Sequence, residues 1–498
     1  MKSDTLILGA GPAGLSCAME LSKVGKTSLI IEKNSEVGGL ARTFEFKEGD
    51  SLFRTDIGPH RFFSKNKYLY SFIKDILGDD WILVKRQTRQ LIKGKFYDYP
   101  IKAAQAFKNV GLIGAVQIGI SYIKSVIVYK IFRKKINNFE DYVVANFGRK
   151  LSEFNMINYT EKIWGIPCTQ IHPDWAKQRI KGLNLLSAVK NAFLKKKNTD
   201  GPKTLVDTFY YPRYGTGTIY NKIAERVIKN GSIIKIGSYP TKISHENNKI
   251  SEIELDIKGK KHVIKPSKVV SSIPITELIK IMSPKPPVEV IDAVNNLKWR
   301  DQVYLFITLN KDLVAKDNWI YFPNTEIPFG RIAEMKNFSS EMCPKDKTSL
   351  FVEYFVDEGD KIWNMSKEEL STLTINHLEK LGLCKKEEVR NCYAFKIKNV
   401  YPVYDLNYTK NLQIIKEYLA KFSNLYLIGR SGRFQYTNQD HSLEMGIATA
   451  RSIIENKNYD LDKFGSEDEY FEKGEIIDGV NPAEKNSYNW LVLENRGE

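Results

Sequence analysis

Gly9-Ala10-Gly11-Pro12-Ala13-Gly14 sets three glycines at a spacing that lets a polyanion rest on backbone. Gly9 permits a tight turn. Gly11 has no side chain, so a pyrophosphate can come close, and Gly14 lets a following helix lie near the preceding strand. Pro12 and Ala13 open that helix, whose N-terminal N–H groups and dipole attract phosphate. The context is complete: the apolar strand Thr5–Leu8 precedes the turn, and Leu15, Ala18, Met19 and Leu21 recur at helical spacing after it. Glu32 ends the next apolar run, Ser28–Ile31, about 20 residues on, where a carboxylate accepts hydrogen bonds from ribose hydroxyls. That carboxylate argues against a 2′-phosphate. A second glycine pair, Gly38-Gly39, precedes Leu40 and Arg42. Those glycines let backbone pass beside a cofactor, and Arg42 can neutralise pyrophosphate.

The elements that must position these residues read as α/β. Residues 100–198 are mostly helical in pattern. Strands are expected at Ile233–Ile236, Lys242–Ser244, Ile253–Ile257 and Lys268–Pro274. Four segments rich in Tyr, Phe, Ile and Val (Gln302–Asn310, Trp319–Phe322, Ser349–Val356 and Cys392–Lys398) read as an antiparallel sheet able to wall a pocket. Leu425–Ile428 is a last strand, followed by a helix from about His441. With 498 residues the chain should form two or three domains.

The net charge of +16, from 75 basic and 59 acidic residues, suits an anionic small molecule, a membrane surface or simply a Lys-rich solvated face. No nucleic-acid-binding motif accompanies it. The five cysteines are scattered with no metal-ligand spacing, so free thiols in a reducing compartment, and no metal, are expected. The first strand begins too early to leave room for a signal peptide, so a cytoplasmic location is expected. Val110–Phe132 is apolar but interrupted by Gln117, Lys124 and Lys130, and Arg133-Lys134-Lys135 follows. A buried helix pair is the favoured reading, with a basic contact on the inner face of a membrane as the other.

Glu36 through Arg42 resembles the extended ExxxxxGGxxR signature of the flavin-containing amine oxidase superfamily, which implies FAD rather than NAD. Further segments resemble the UDP-galactopyranose mutase family, especially its longer eukaryotic type. These are Gly58-Pro59-His60 with Phe62 and Phe63; Lys162-Ile163-Trp164 through Pro167, Trp175 and Arg179; Tyr211-Pro212 with Gly215-Thr216-Gly217; Trp319 through Pro323 with Arg331; Tyr401-Pro402; Gly429-Arg430 through Tyr436; and Asn438-Gln439-Asp440-His441-Ser442. The matches run in order from residue 6 to about 450.

The resemblance implies a discontinuous Rossmann-type FAD domain (1–90, 205–275 and 420–465), a mainly helical domain (91–204), an antiparallel-sheet substrate domain (276–419) and a tail (466–498). It implies a reduced flavin, kept so by an external donor such as NADPH, whose N5 attacks the anomeric carbon of a nucleotide sugar. The ring then recloses with no net redox change. The carried-over roles place His60, Arg179 and Arg331 at the reaction centre. Trp164, Tyr321, Tyr401, Tyr436 and Asn438 fall on the substrate, and Gly429, Arg430, Gln439, Asp440 and Ser442 on the cofactor.

The chain also departs from the pattern. The diphosphate-binding Arg that the family places before its closing tyrosine is Gln435 here, and Arg433 would share its face if the segment were extended. Thr160 stands where the longer mutases have Asn. Arg61 and Lys85–Tyr99 resemble protoporphyrinogen-oxidase-like bacterial flavoproteins instead. A net oxidoreductase acting on an apolar or lipid-linked substrate is therefore the competing reading.

Overall fold

The computed structural model describes residues 4–64, 66–99, 101, 103–176 and 208–465. Five short parallel strands form the nucleotide-binding sheet, in the order Leu425–Leu427, Lys268–Ser271, Thr5–Leu8, Ser28–Ile31 and Ile233–Lys235. They come from distant parts of the chain, so the α/β domain is discontinuous. All residues of Thr5–Leu8 and Ser28–Ile31 are buried, as expected for strands covered on both faces. Helix Pro12–Ser22 packs on this sheet, and helix Gln439–Glu455 crosses it so closely that a Cβ on Gly446 would lie 2.2 Å from the Ala13 carbonyl oxygen. That contact holds the N-terminus of the last long helix near the Gly-rich turn.

A second, seven-stranded sheet forms the roof. Its order is Val389–Pro402, Trp299–Leu309, Thr348–Val356, Arg331–Glu334, Trp319–Tyr321, Thr88–Ile92 and Lys95–Asp98. Strand Thr348–Val356 is buried along its whole length, between neighbours on both sides. The hairpin Thr88–Asp98 joins this sheet through a parallel pairing of Thr88–Gln90 with Trp319–Tyr321. The domain boundary expected at residue 90 therefore falls inside a hairpin of the substrate sheet. The pairing is non-local, and its local pattern carried no sign of it.

Segment Val110–Phe132 also differs from the favoured reading. A left-handed Gly111 (φ 76°) breaks the helix, as a buried pair would need, but the residues beyond form one continuous helix rather than a hairpin. Leu112, Ile113, Val116, Ile120, Ile123 and Ile131 are exposed. Apolar composition cannot tell a buried helix from one that presents its apolar face outward.

Candidate functional site

The first strand ends in Gly9, whose φ of 101° turns the chain. A Cβ on Gly14 would lie 2.0 Å from the Gly9 carbonyl oxygen, so helix and turn touch backbone to backbone. Gly11 differs: the nearest atom to a Cβ there is Gly39 Cα, at 3.8 Å. The two Gly-rich segments thus face each other across Gly11 and Gly39, and the Gly38 N–H donates to the Ala10 carbonyl at 2.8 Å. Buried Glu32 holds the same turn from the other side. Its Oε2 accepts the Ala10 N–H at 2.8 Å, and its Oε1 accepts two N–H groups of Asn34. Arg42 folds back to donate to the Gly39 carbonyl at 2.9 Å, which keeps its guanidinium beside the turn with Leu40. No side chain caps helix Pro12–Ser22, so its first N–H groups are left for an anion.

The far end of the chain closes this cradle. Gly429, left-handed at φ 72°, brings its backbone against Ala13: a Cβ there would lie 3.1 Å from the Ala13 Cβ. Asn438 precedes the helix that begins at Gln439, and its N–H donates to His441 Nδ1. Gln439 accepts from Tyr220 and donates to the Arg61 carbonyl, while Asp440 and Ser442 are buried in the first turn.

The loop Gly58-Pro59-His60 is held by a latch of buried polar groups. Asp56 accepts the Thr43 hydroxyl (2.5 Å), the Tyr211 hydroxyl (2.7 Å) and the Thr216 N–H (3.0 Å). Burial nonetheless pushes its carboxyl up to about 6. The Tyr211-Pro212 and Gly215–Gly217 segments therefore fasten the histidine loop, and Gly217 donates to the Thr43 hydroxyl.

His60 is half-buried with a fully buried Nδ1 that has no hydrogen-bond partner among the described residues. Burial, then the Arg430 and Arg331 guanidinium groups, pull its imidazole down to about 3. The ring is neutral at ordinary pH. Since the folded value lies below the usual 6.5, its contribution to stability is complete above about 6.5 and is lost as pH falls toward 3. The His60 resonances of histidine-labelled protein should not titrate between pH 5 and 8; a midpoint near 6.5 would contradict this environment.

Over Gly58 lies a buried ion pair that sequence reasoning missed. Arg331 donates from two nitrogens to Glu353 Oε2, at 2.7 and 3.1 Å. A Cβ on Gly58 would lie 3.0 Å from Glu353 Oε1 and 3.5 Å from the Arg331 guanidinium, which explains the glycine beside its left-handed φ of 89°. Glu353 is the only carboxylate in the strand Thr348–Val356, and a charge in such a run was the signal available. Tyr321, Arg331 and Glu353 are cross-strand neighbours on adjacent strands, so one register sets all three.

Around this pair stand the aromatic rings. Tyr321 contacts Tyr99 (5.1 Å) and Tyr159 (5.4 Å), and the Arg331 guanidinium stands 6.0 Å from the Tyr321 ring. Arg86, also missed, places its guanidinium over both Tyr99 and Trp319. Tyr401 and Tyr436 stack at 5.4 Å, with the Arg430 guanidinium about 5 Å from each ring. Trp164 touches both tyrosines, and its buried Nε1 has no partner among the described residues. Two further cations position this wall. Lys162 donates to the carbonyls of Phe322, Asn324, Ile327 and Phe329, clamping the loop that leads into Arg331. Arg300 donates to the Ile163 and Phe355 carbonyls and supports the turn after Trp164.

Two expectations change. Residues Gly429–Arg433 form a short helix rather than an extended segment. Arg433 consequently reaches Asp462 (2.6 Å) and the Leu427 carbonyl, and Gln435 donates to the Phe464 carbonyl. Arg433 is thus committed to the segment around Asp462, and does not stand in for the arginine replaced by Gln435. Arg179 lies outside the described residues.

The residues present fit a dinucleotide with a flat ring system. Gly11 leaves backbone open to a pyrophosphate, a helix N-terminus is uncapped, Glu32 ends the second strand, and two buried polar atoms, His60 Nδ1 and Trp164 Nε1, have no partner among the described residues. Fold and site together define a flavoprotein with a Rossmann-type nucleotide domain roofed by a mostly antiparallel sheet.

Comparison with known proteins gives the family. The chain matches the flavin containing amine oxidoreductase family over residues 182–454 and an NAD(P)-binding Rossmann-like domain over residues 7–76. It belongs to the flavin-containing amine oxidoreductases, whose cofactor is a flavin. Its fold is similar to that of reduced UDP-galactopyranose mutase (TM-score 0.77, 22% identity, 92% of this chain and 95% of that one). It is also similar to that of a candidate protoporphyrinogen oxidase from Exiguobacterium sp. 255-15 (TM-score 0.68, 16% identity, 92% and 98%). UDP-galactopyranose mutase of Mycoplasma pneumoniae is 23% identical over 190 residues, 34% of this chain. The chain spans 43% of the length of that mutase and 38% of Bacillus subtilis thioredoxin reductase, which it matches at 30% identity over 125 residues.

Proposed function

We propose that the protein is an FAD-dependent enzyme that rearranges a nucleotide sugar, or a closely related activated sugar for surface polysaccharide, without net redox change. The observation that carries this reading is the wall itself. Tyr99, Tyr159, Tyr321, Tyr401 and Tyr436 are all half-buried and gather around Arg331 and Arg430 beside the His60 loop. Phenol hydroxyls and guanidinium groups suit an anionic, hydroxyl-rich ligand. An alkylammonium substrate would meet the Arg430 guanidinium, a like charge that costs about 4 kcal/mol at about 4 Å in a partly screened site, while the Arg331 charge is balanced by Glu353. Tyr401 and Tyr436 also stack on one another, leaving no slot between them for an amine.

When bound, the reduced flavin supplies a nucleophilic nitrogen to the anomeric carbon. The chain's own residues do the rest. Arg331 and the tyrosine hydroxyls hold the diphosphate as handle and leaving group. Arg179 is a second cation for that role. Neutral His60 presents a buried ring nitrogen to the cofactor without adding charge, and Trp164 excludes water behind the sugar.

The test is ligand binding. UDP added to the yellow protein should perturb the flavin spectrum saturably, and Tyr436→Phe should weaken UDP about tenfold to a hundredfold, the value of one hydrogen bond to a charged group. Absence of any UDP response would contradict the reading. The alternative, an oxidoreductase of an apolar or lipid-linked substrate, has one observation in its favour: the exposed apolar helix.

A further inference from the structure

Helix Lys108–Ile131 is the one helix among the described residues that is long and apolar enough to cross a membrane, and little of it is buried. Beyond Gly111 it runs from Leu112 to Ile131, about 30 Å at 1.5 Å per residue. Leu112, Val116, Ile120, Ile123, Ile127 and Ile131 recur every three or four residues and form one ridge. Leu112 is 71% exposed, Ile123 60% and Ile131 67%, and Phe132 extends the ridge at 76%. A contiguous apolar stripe of this length is rare on a protein surface with no partner.

The opposite side of the helix is fixed to the protein. Tyr122 and Ser125 are buried, the Ser121 hydroxyl accepts the Lys150 N–H, and Gly148 packs against the Tyr122 backbone. With one side committed to protein, and with Gln117, Lys124 and Lys130 along its length, the helix is suited to lie along a bilayer rather than cross it.

The charge around the ridge selects the occupant. Arg133, Lys134 and Lys135 follow the last turn and are exposed, as are Lys124 and Lys130, with Lys134 paired to Asp141 at 2.8 Å. Beside the helix, a cavity of about 370 Å³ is lined by Lys93, Arg149 and Lys150 with one carboxylate, Glu153; Arg149 is balanced by Glu140 at 2.5 Å, which leaves the two lysines as the cavity's net charge against Glu153. A symmetric contact with a second copy would bring this cationic set against itself. Anionic lipid headgroups would complement it, at about 1 kcal/mol per basic residue near the surface.

We propose that helix Leu112–Ile131, with Phe132 and the basic residues that follow, docks the protein in the headgroup boundary of an anionic phospholipid bilayer. The helix start is tied to the substrate sheet: Lys95 donates to the Asn109 carbonyl, Asn109 to the Phe96 carbonyl, and Gln105 accepts the Asp98 N–H. The same hairpin carries Tyr99 to Tyr321. Docking surface and reaction chamber therefore share one support.

The full-length flavin-loaded protein would be floated with vesicles of phosphatidylglycerol and phosphatidylcholine, and with vesicles of phosphatidylcholine alone. Wild type should float with the anionic vesicles. Ile120→Glu with Ile123→Glu should lower that binding at least tenfold while flavin content and melting temperature stay unchanged. Arg133→Ser with Lys135→Ser should weaken binding to anionic vesicles only, and it tests the proposal even if the glutamate variant fails to fold. Wild type that stays unbound, or variants that bind as well as wild type, would overturn it. So would a wild-type dimer that the glutamate variant converts to monomer, since the ridge would then be a contact between copies.

Discussion

Gly11→Val should give a folded protein that has lost at least a hundredfold in FAD affinity, about 2.7 kcal/mol. The backbone at Gly11 has φ −79°, which any residue adopts, and its Cβ would meet nothing closer than Gly39 Cα at 3.8 Å. The fold itself therefore leaves room for a Cβ at this position. What does not tolerate it is a pyrophosphate that must approach the turn between the two Gly-rich segments. Gly14→Ala makes the contrast, because its Cβ would sit 2.0 Å from the Gly9 carbonyl oxygen and part helix from turn. A flavin titration of apoprotein beside a thermal melt separates the two: Gly11→Val melts normally and stays colourless, whereas Gly14→Ala melts early. Normal flavin uptake by Gly11→Val would show that the cofactor lies elsewhere.

Arg331→Ala should destabilise the protein by about 3–5 kcal/mol, because it leaves a buried carboxylate without its partner. Glu353 is 1% exposed and its Oε2 takes both donors of Arg331. Burial already pushes the Glu353 carboxyl up against the pull of Arg331, so removing the cation drives it further toward the neutral form. Adding Glu353→Gln should restore most of the stability, since no charge is then stranded. It should not restore UDP binding if Arg331 holds the diphosphate. A double variant that regains both would make Arg331 a structural residue only. One that regains neither would place the cost of Arg331→Ala outside this pair.

How much of this was legible in the sequence depends on how local each feature is. The Gly9–Gly14 turn, Glu32 and the Gly38-Gly39 pair lie within one strand–helix–strand unit, so glycine chemistry and apolar spacing located them directly. The strands of the roof were legible from their Tyr, Phe, Ile and Val content, but their order was not. Arg331 and Glu353 are 22 residues apart and meet only through strand register. Lys162 reaches carbonyls 160 to 167 residues away, and Arg300 supports a turn 135 residues earlier. Lys162 lies in a motif the sequence shows, but neither its distant partners nor those of Arg300 carry a local signal.

Arg433 was misplaced for a different reason. Alternation applies only to extended chain, and Gly429–Arg433 coils into a helix that turns the guanidinium toward Asp462. The helix after Gly111 departs from the buried-pair reading because an apolar segment interrupted by Gln117, Lys124 and Lys130 has the same composition whether its apolar face turns inward or outward. The family's motifs marked Tyr321, Tyr401 and Tyr436 as a group, and the structure adds Tyr99, Tyr159 and Arg86 to the same wall.

The central claim is that this flavoprotein rearranges an activated sugar without consuming electrons. The most direct measurement is to reduce the flavin anaerobically, add UDP-galactose, UDP-N-acetylgalactosamine and related nucleotide sugars, follow the flavin spectrum and separate the products by chromatography. The expected result is an isomeric nucleotide sugar formed over many turnovers while the flavin stays reduced. A nucleotide sugar that leaves the flavin oxidised in proportion to product would contradict it and make the protein a net oxidoreductase.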